Sequence, residues 1–174
     1  MTSKTALLTI GLAACLVVGV RGGEPVALKP LTWSEFQKQL ASPPAGTKLT
    51  VVDAWATTCA PCKENFPHLV EMRRRYGSEG LNVVSLSLDD VEDAKALAAA
   101  EKFLREKRAE FANVVLKEEY GAGYDKLDIS AIPAVFLFGP DGEEVKRFTM
   151  DDPNDQFTYE QVEKEVAARL AAAK

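Results

Sequence analysis

Cys59 and Cys62 stand with two residues between them, a spacing that lets two thiols close a small disulfide ring or bind a metal ion together. Each use makes its own demand. A closed zinc site needs two further ligands, yet the chain beyond residue 23 holds no third cysteine and one histidine, His68. If a helix starts near Cys59, His68 lies nine residues on, half a turn away around the axis, and faces elsewhere. No metal is therefore expected. An inert structural bridge is the next alternative, but so short a loop constrains the unfolded chain little. Reversible thiol-disulfide exchange suits the spacing better, and it needs no cofactor because the sulfurs carry the electrons. Asp53 adds a third group, since an acid inside the apolar run Leu49-Thr50-Val51-Val52-Asp53-Ala54-Trp55 is costly to bury as a carboxylate. Burial would raise its pKa and make it an acid/base near neutral pH, whereas an edge strand would simply point it outward.

Two elements must position the cysteines. Leu49 to Trp55 reads as a buried strand, and Phe66, Leu69 and Val70 then follow helical spacing. The pair thus falls at a strand-to-helix junction, where open α/β sheets place their chemistry. Cys59 at the helix N-terminus meets free N–H groups and the positive dipole end, which favour a thiolate, so Cys59 is the expected nucleophile. The helix runs to about Arg75, and Arg73-Arg74-Arg75 complements its C-terminal dipole.

Elsewhere, Thr32-Trp33-Ser34-Glu35 reads as a capping box opening a short helix to Leu40, and Ser42 to Gly46 as a loop. A second apolar strand spans Leu81 to Leu88, implying a right-handed parallel crossover. Asp89 or Asp90 is expected to cap a long helix to about Phe111, with Leu97, Ala100, Leu104 and Phe111 as its buried stripe. A brief strand, Val114 to Leu116, and a Gly-rich loop, Tyr120 to Tyr124, lead to Ile132-Pro133. Proline interrupts a central ladder, so Pro133 belongs at a strand start or turn. Ala134 to Phe138 and Glu144 to Met150 then flank a Gly139-Pro140-Asp141-Gly142 turn as a hairpin. A last helix starts at Thr158, boxed with Gln161, and buries Val162, Val166 and Leu170.

Trp55-Ala56-Thr57-Thr58-Cys59-Ala60-Pro61-Cys62, followed by Ile132 to Phe138 and by Pro140-Asp141-Gly142, resembles thioredoxin-like proteins, above all the exported TlpA/ResA-like thiol-disulfide oxidoreductases. The resemblance covers roughly residues 30 to 172. It implies an α/β thioredoxin fold: a mixed central sheet with helices on both faces and a helical insertion typical of TlpA-like proteins. Asp53 lies six residues before Cys59, where the family keeps its buried acid, and Pro67 five after Cys62, where it keeps a helix-kinking proline. By the same resemblance Asp53 would take the proton of Cys62 through a water, and Pro133 would be a cis-proline beside the pair. The groove for substrate would comprise Trp55, Thr58, Ala60, Pro61 and Ile132, with Thr58 standing where the family usually has Trp. Ala60-Pro61 is similar to the Gly-Pro of thioredoxin, which implies a reductase of protein disulfides served by a membrane electron donor. A thioredoxin-fold copper-delivery or binding module would use the same cysteines as ligands, but usually adds a histidine well after the pair. None follows His68. The peroxidase signature Pro-x-x-x-Thr-x-x-Cys is absent too.

Residues 1–23 read as an export segment: Lys4 precedes an apolar run from Ala6 to Val20, short of a membrane span of ~20 residues. Leu12-Ala13-Ala14-Cys15 resembles a lipobox that would lipidate Cys15, although the following Leu16 to Val20 is apolar where a lipoprotein continues polar. Lipidation, cleavage near Arg21-Gly22-Gly23 and an uncleaved anchor all stay open, and each puts the protein outside the cytoplasm, periplasmic or membrane-anchored. Residues 24–174 make one domain, expected to be a monomer. The chain's formal net charge of −5 argues against nucleic acid and against anionic lipid as partners.

Overall fold

A computed structural model of the chain describes residues 26–173. The export segment and Cys15 lie outside the described residues. Eleven regular elements follow in the order β1 (Leu28–Leu31), α1 (Trp33–Ala41), β2 (Leu49–Trp55), α2 (Ala60–Tyr76), β3 (Leu81–Ser87), α3 (Ala94–Lys107), β4 (Ala112–Leu116), α4 (Ala122–Leu127), β5 (Ala134–Phe138), β6 (Glu144–Phe148) and α5 (Tyr159–Ala172). The strands form one sheet in the order β1-β4-β3-β2-β5-β6. β1 to β4 run parallel, β5 runs antiparallel to β2 and β6 antiparallel to β5, giving the mixed sheet that the resemblance implies.

β2 is buried along its whole length, as a strand covered by helices on both faces must be. Its alternating side chains feed two cores. Val51 and Trp55 join Phe66 and Leu69 of α2, Ala100 and Leu104 of α3 and Val162, Val166 and Leu170 of α5. Val52 and Ala54 join Phe36 and Leu40 of α1 and Leu127 of α4 on the other face. The expected two-faced helical cover is therefore present.

The expected elements differ from the observed ones chiefly at four places, and β4 also begins two residues early, at Ala112. β1 was not anticipated: it is four residues long, contains Pro30 and lies at the sheet edge, where proline's missing N–H is tolerated. α3 starts three or four residues later than expected, capped by Asp93, whose carboxylate accepts the N–H groups of Lys95 and Ala96. It also stops sooner, at Arg108 in the left-handed region, so Phe111 is buried from the following loop and Leu97 is only half-buried. The supposed Gly-rich loop closes into α4, opened by Gly121 with φ of 86°. β6 ends at Phe148, two residues short of Met150. In the β5–β6 turn Gly142 is required twice over: its φ is +80°, and a Cβ there would lie 2.6 Å from Ala41 Cα.

Candidate active site

Trp55 ends β2 and Ala60 begins α2, so the sheet delivers the cysteines to its carboxyl edge. Cys59 is the N-cap of α2: its sulfur accepts the Cys62 N–H at 3.2 Å. Pro61 in the first turn needs no N–H partner and presets the helical backbone. The two cysteines form a disulfide with Cα atoms 5.3 Å apart. They are not equivalent, because Cys59 is half-exposed while Cys62 is 1% exposed against the α2 core. The first can meet a substrate and the second cannot.

Ile132-Pro133 is a cis peptide bond, as the resemblance implies, and Pro133 sits immediately before β5. The Ile132 carbonyl oxygen lies 3.8 Å from Cys59 Sγ, which brings two segments 73 residues apart to one point. Thr58, Ala60 and Pro61 are exposed around Cys59, and Ile132 is half-buried. Trp55 is a correction to the expected groove: it has no exposed surface and packs between Phe66 and Phe103, supporting the site from beneath.

Asp53 is 1% exposed at the middle of β2, flanked in register by Ser85 of β3 and Val135 of β5. The edge-strand alternative fails, since β2 is central. Strand alternation puts its side chain on the face of Val51 and Trp55, which is the face that carries α2 and Cys62. Burial pushes its pKa up to about 7, against a partial opposing pull from a hydrogen bond. That bond comes from Tyr159, whose hydroxyl lies 3.1 Å from Asp53 Oδ1 and 2.9 Å from Oδ2. His68, half a turn from Cys59, stacks its ring on Tyr159 with centroids 5.6 Å apart.

Two clamps hold the loops on either side of Cys59, and neither was foreseen. Asp89, one of the two residues expected to cap α3, is instead buried and accepts the Thr57 N–H at 3.0 Å, the Thr57 hydroxyl at 2.6 Å and the Ser87 hydroxyl at 2.8 Å. On the other side Asp151 accepts the Ser130 N–H at 2.7 Å and hydroxyl at 2.6 Å, and these donors hold its carboxyl below the usual range. Polar residues bordering Cys59 and Pro133 at short range were the available signal. Their partners lie 32 and 21 residues away, beyond any local pattern. Among the described residues no group of three or more His, Cys, Asp or Glu side chains is placed to hold a metal.

A cysteine pair opening a helix at the carboxyl end of a central strand, with a cis-proline against the first sulfur, defines a protein of the thioredoxin fold. A family model described as thioredoxin-like matches residues 46–144, more than half of the chain, and the chain belongs to that family. It is similar to the thiol-disulfide oxidoreductase ResA of Bacillus subtilis (strain 168), 30% identical over 95 residues that make up 55% of this chain and 49% of that protein. ResA of Oceanobacillus iheyensis is 28% identical over 96 residues, 55% of this chain and 46% of that one. The chain thus spans about half the length of the curated relatives it matches. Among solved structures, one carrying the name thiol:disulfide interchange protein DsbE, from Chlorobium tepidum, aligns with a TM-score of 0.58 and 25% identity over 78% of this chain and 84% of that one. StoA from Bacillus subtilis aligns with a TM-score of 0.51 and 22% identity over 70% and 84% of the two chains, a likeness of fold. The fold and the ResA-like resemblance read from the motifs are borne out.

Proposed function

We propose that this protein is an exported thiol-disulfide oxidoreductase that reduces disulfides in protein substrates. The observation that carries this reading is the asymmetry of the pair: an accessible sulfur capped by an N–H at a helix start, backed by a buried one on the face of a buried acid. The reduced Cys59 thiolate attacks one sulfur of a substrate disulfide; that S–S bond breaks, a mixed disulfide forms, and the other substrate sulfur leaves as a thiolate. Asp53 then takes the Cys62 proton, and the Cys62 thiolate attacks Cys59 Sγ. This closes the Cys59–Cys62 disulfide and expels the second substrate thiolate, which is protonated from Asp53 or solvent. An extended substrate segment would pair with the backbone preceding Pro133, beside Cys59.

Direction follows from what surrounds the thiolate. Ala60 and Pro61 offer no side-chain donor or charge, so the dithiol gains little extra stability and the pair favours giving electrons away. A membrane electron donor would restore the dithiol, and the first 23 residues would carry the chain out of the cytoplasm as a free or tethered monomer. The ResA and DsbE names of the similar proteins support exchange chemistry of this kind. The test has two arms. Cys62→Ser should trap substrate proteins covalently through Cys59, and equilibration with glutathione or dithiothreitol, read by tryptophan fluorescence, should give a potential well below about −180 mV. A higher value would favour disulfide formation or shuffling.

A further inference from the structure

The buried acid needs a partner when it ionises, and the surrounding elements leave only certain candidates. From β3 the facing residue is Ser85, but its hydroxyl already donates to Asn113 Oδ1 at 2.8 Å. From β5 the facing residue is the apolar Val135. α2 brings Cys62 to this face. α5 brings Tyr159, and over the phenol ring lies His68, itself near the carboxylate of Glu160. Among the described residues no cation on these elements pairs with Asp53, and the donor to its oxygens is the Tyr159 hydroxyl.

We infer that Tyr159 is a positioning residue for the second half of the exchange: its phenol holds the Asp53 carboxyl on the face it shares with Cys62 and gives the ionised acid a hydrogen bond it would otherwise lack. This rests on the reading of Asp53 as the base for Cys62. The placement is fixed by the start of α5. Tyr159 is its first residue, and Thr158 and Gln161 cap each other reciprocally, so the ring cannot drift without breaking that box. Its ring is held between His68 and Phe157, and the side chain is 3% exposed.

The nature of the donor matters. A lysine in this position would cancel the carboxylate's charge and pull its pKa far down. A phenol lends one proton and no charge, so burial still dominates and the acid stays able to exchange a proton near neutrality. Burial and the nearby Asp53 charge also push the Tyr159 hydroxyl further above its ordinary range, which keeps it a donor throughout the working pH. Removing that hydroxyl leaves a desolvated carboxylate with less support and a higher proton affinity.

The experiment compares wild type, Tyr159→Phe and Asp53→Asn. Stopped-flow with a disulfide peptide, from pH 5 to 9, separates attack by Cys59 from resolution by Cys62. Tyr159→Phe keeps the ring and its packing. It should move the pH midpoint of resolution upward by about one pH unit, slowing resolution roughly tenfold on the acid side while the first attack is unchanged. The carboxyl stretching band of Asp53, assigned by infrared difference against Asp53→Asn, should titrate with the same upward shift, and it reads the effect without turnover. A wild-type midpoint in both measurements, or an equal loss at every pH, would make Tyr159 a packing residue and overturn the inference alone. Normal resolution in Asp53→Asn would remove the base itself and overturn both readings.

Discussion

Three atoms decide what Cys59 can do: its own sulfur, the Cys62 nitrogen 3.2 Å away and the Ile132 oxygen at 3.8 Å. The first neighbour stabilises negative charge on the sulfur, and the helix N-terminus adds to it. Cys59 should therefore be alkylated first when the reduced protein is treated with iodoacetamide across a pH series, with a midpoint below the free value of about 8.5. Preferential labelling of Cys62 would invert the assigned roles. Asp53 carries a stability consequence as well. Its pKa is 3.8 in an ordinary setting and about 7 in the fold, so the folded state holds the proton more tightly. Stability is unaffected below the lower value, falls as pH rises between the two, and is fully reduced above the higher one, by up to about 4 kcal/mol. Urea unfolding of wild type and Asp53→Asn should diverge accordingly: close together at pH 4, the variant more stable at pH 8. Asp53 was legible because a charged residue inside an apolar strand stands out. Tyr159 was not, because it reaches the acid from 106 residues away and its own neighbourhood reads as an ordinary helix start.

The pair is only as well placed as the elements that deliver it. β2 and α2 were readable because the first is an apolar, β-branched run, the second follows helical spacing, and the junction between them is the change from one to the other. Weak elements hid for stated reasons. β1 is short and proline-bearing, α4 is six residues long behind a glycine, and the run from Asp89 to Asp93 offers several acids, each a plausible cap by type. Tertiary contact chose among them, assigning Asp93 to the helix and Asp89 to the loop before Cys59. That loop assignment is testable. Asp89→Ala would leave the Thr57 N–H and hydroxyl without their acceptor, and should cost about 2–3 kcal/mol in thermal or urea unfolding. Thr57→Val, which removes one of these bonds and keeps the shape, should cost about 1 kcal/mol. Equal effects from the two would mean that the carboxylate is not the organising group.

At the scale of the molecule the topology has a direction. β1 to β4 all run toward the disulfide, and the segments beyond their ends are rich in acids: Asp90, Glu92 and Asp93 after β3, Glu118 and Glu119 after β4, Asp125 and Asp128 around α4, and Asp151, Asp152 and Asp155 before α5. Lys63, Lys95, Lys117 and Lys126 oppose them in smaller number. Small disulfides should feel that field. Cystamine, a cation, should oxidise the reduced protein faster than an anionic disulfide of similar reactivity, and the ratio should shrink as salt rises. A ratio that salt leaves unchanged would show the field to be irrelevant to encounter.

The same direction governs how the molecule can be held. The described chain enters at the amino end of β1, and α5 runs away from the disulfide until Arg169 reaches the Val145 carbonyl near the start of β6. Both ends of the described chain therefore lie at the pole away from Cys59. A bead, an electrode linker or a fusion partner attached at either end acts as a handle on the back of the tool, with the reactive edge left facing outward.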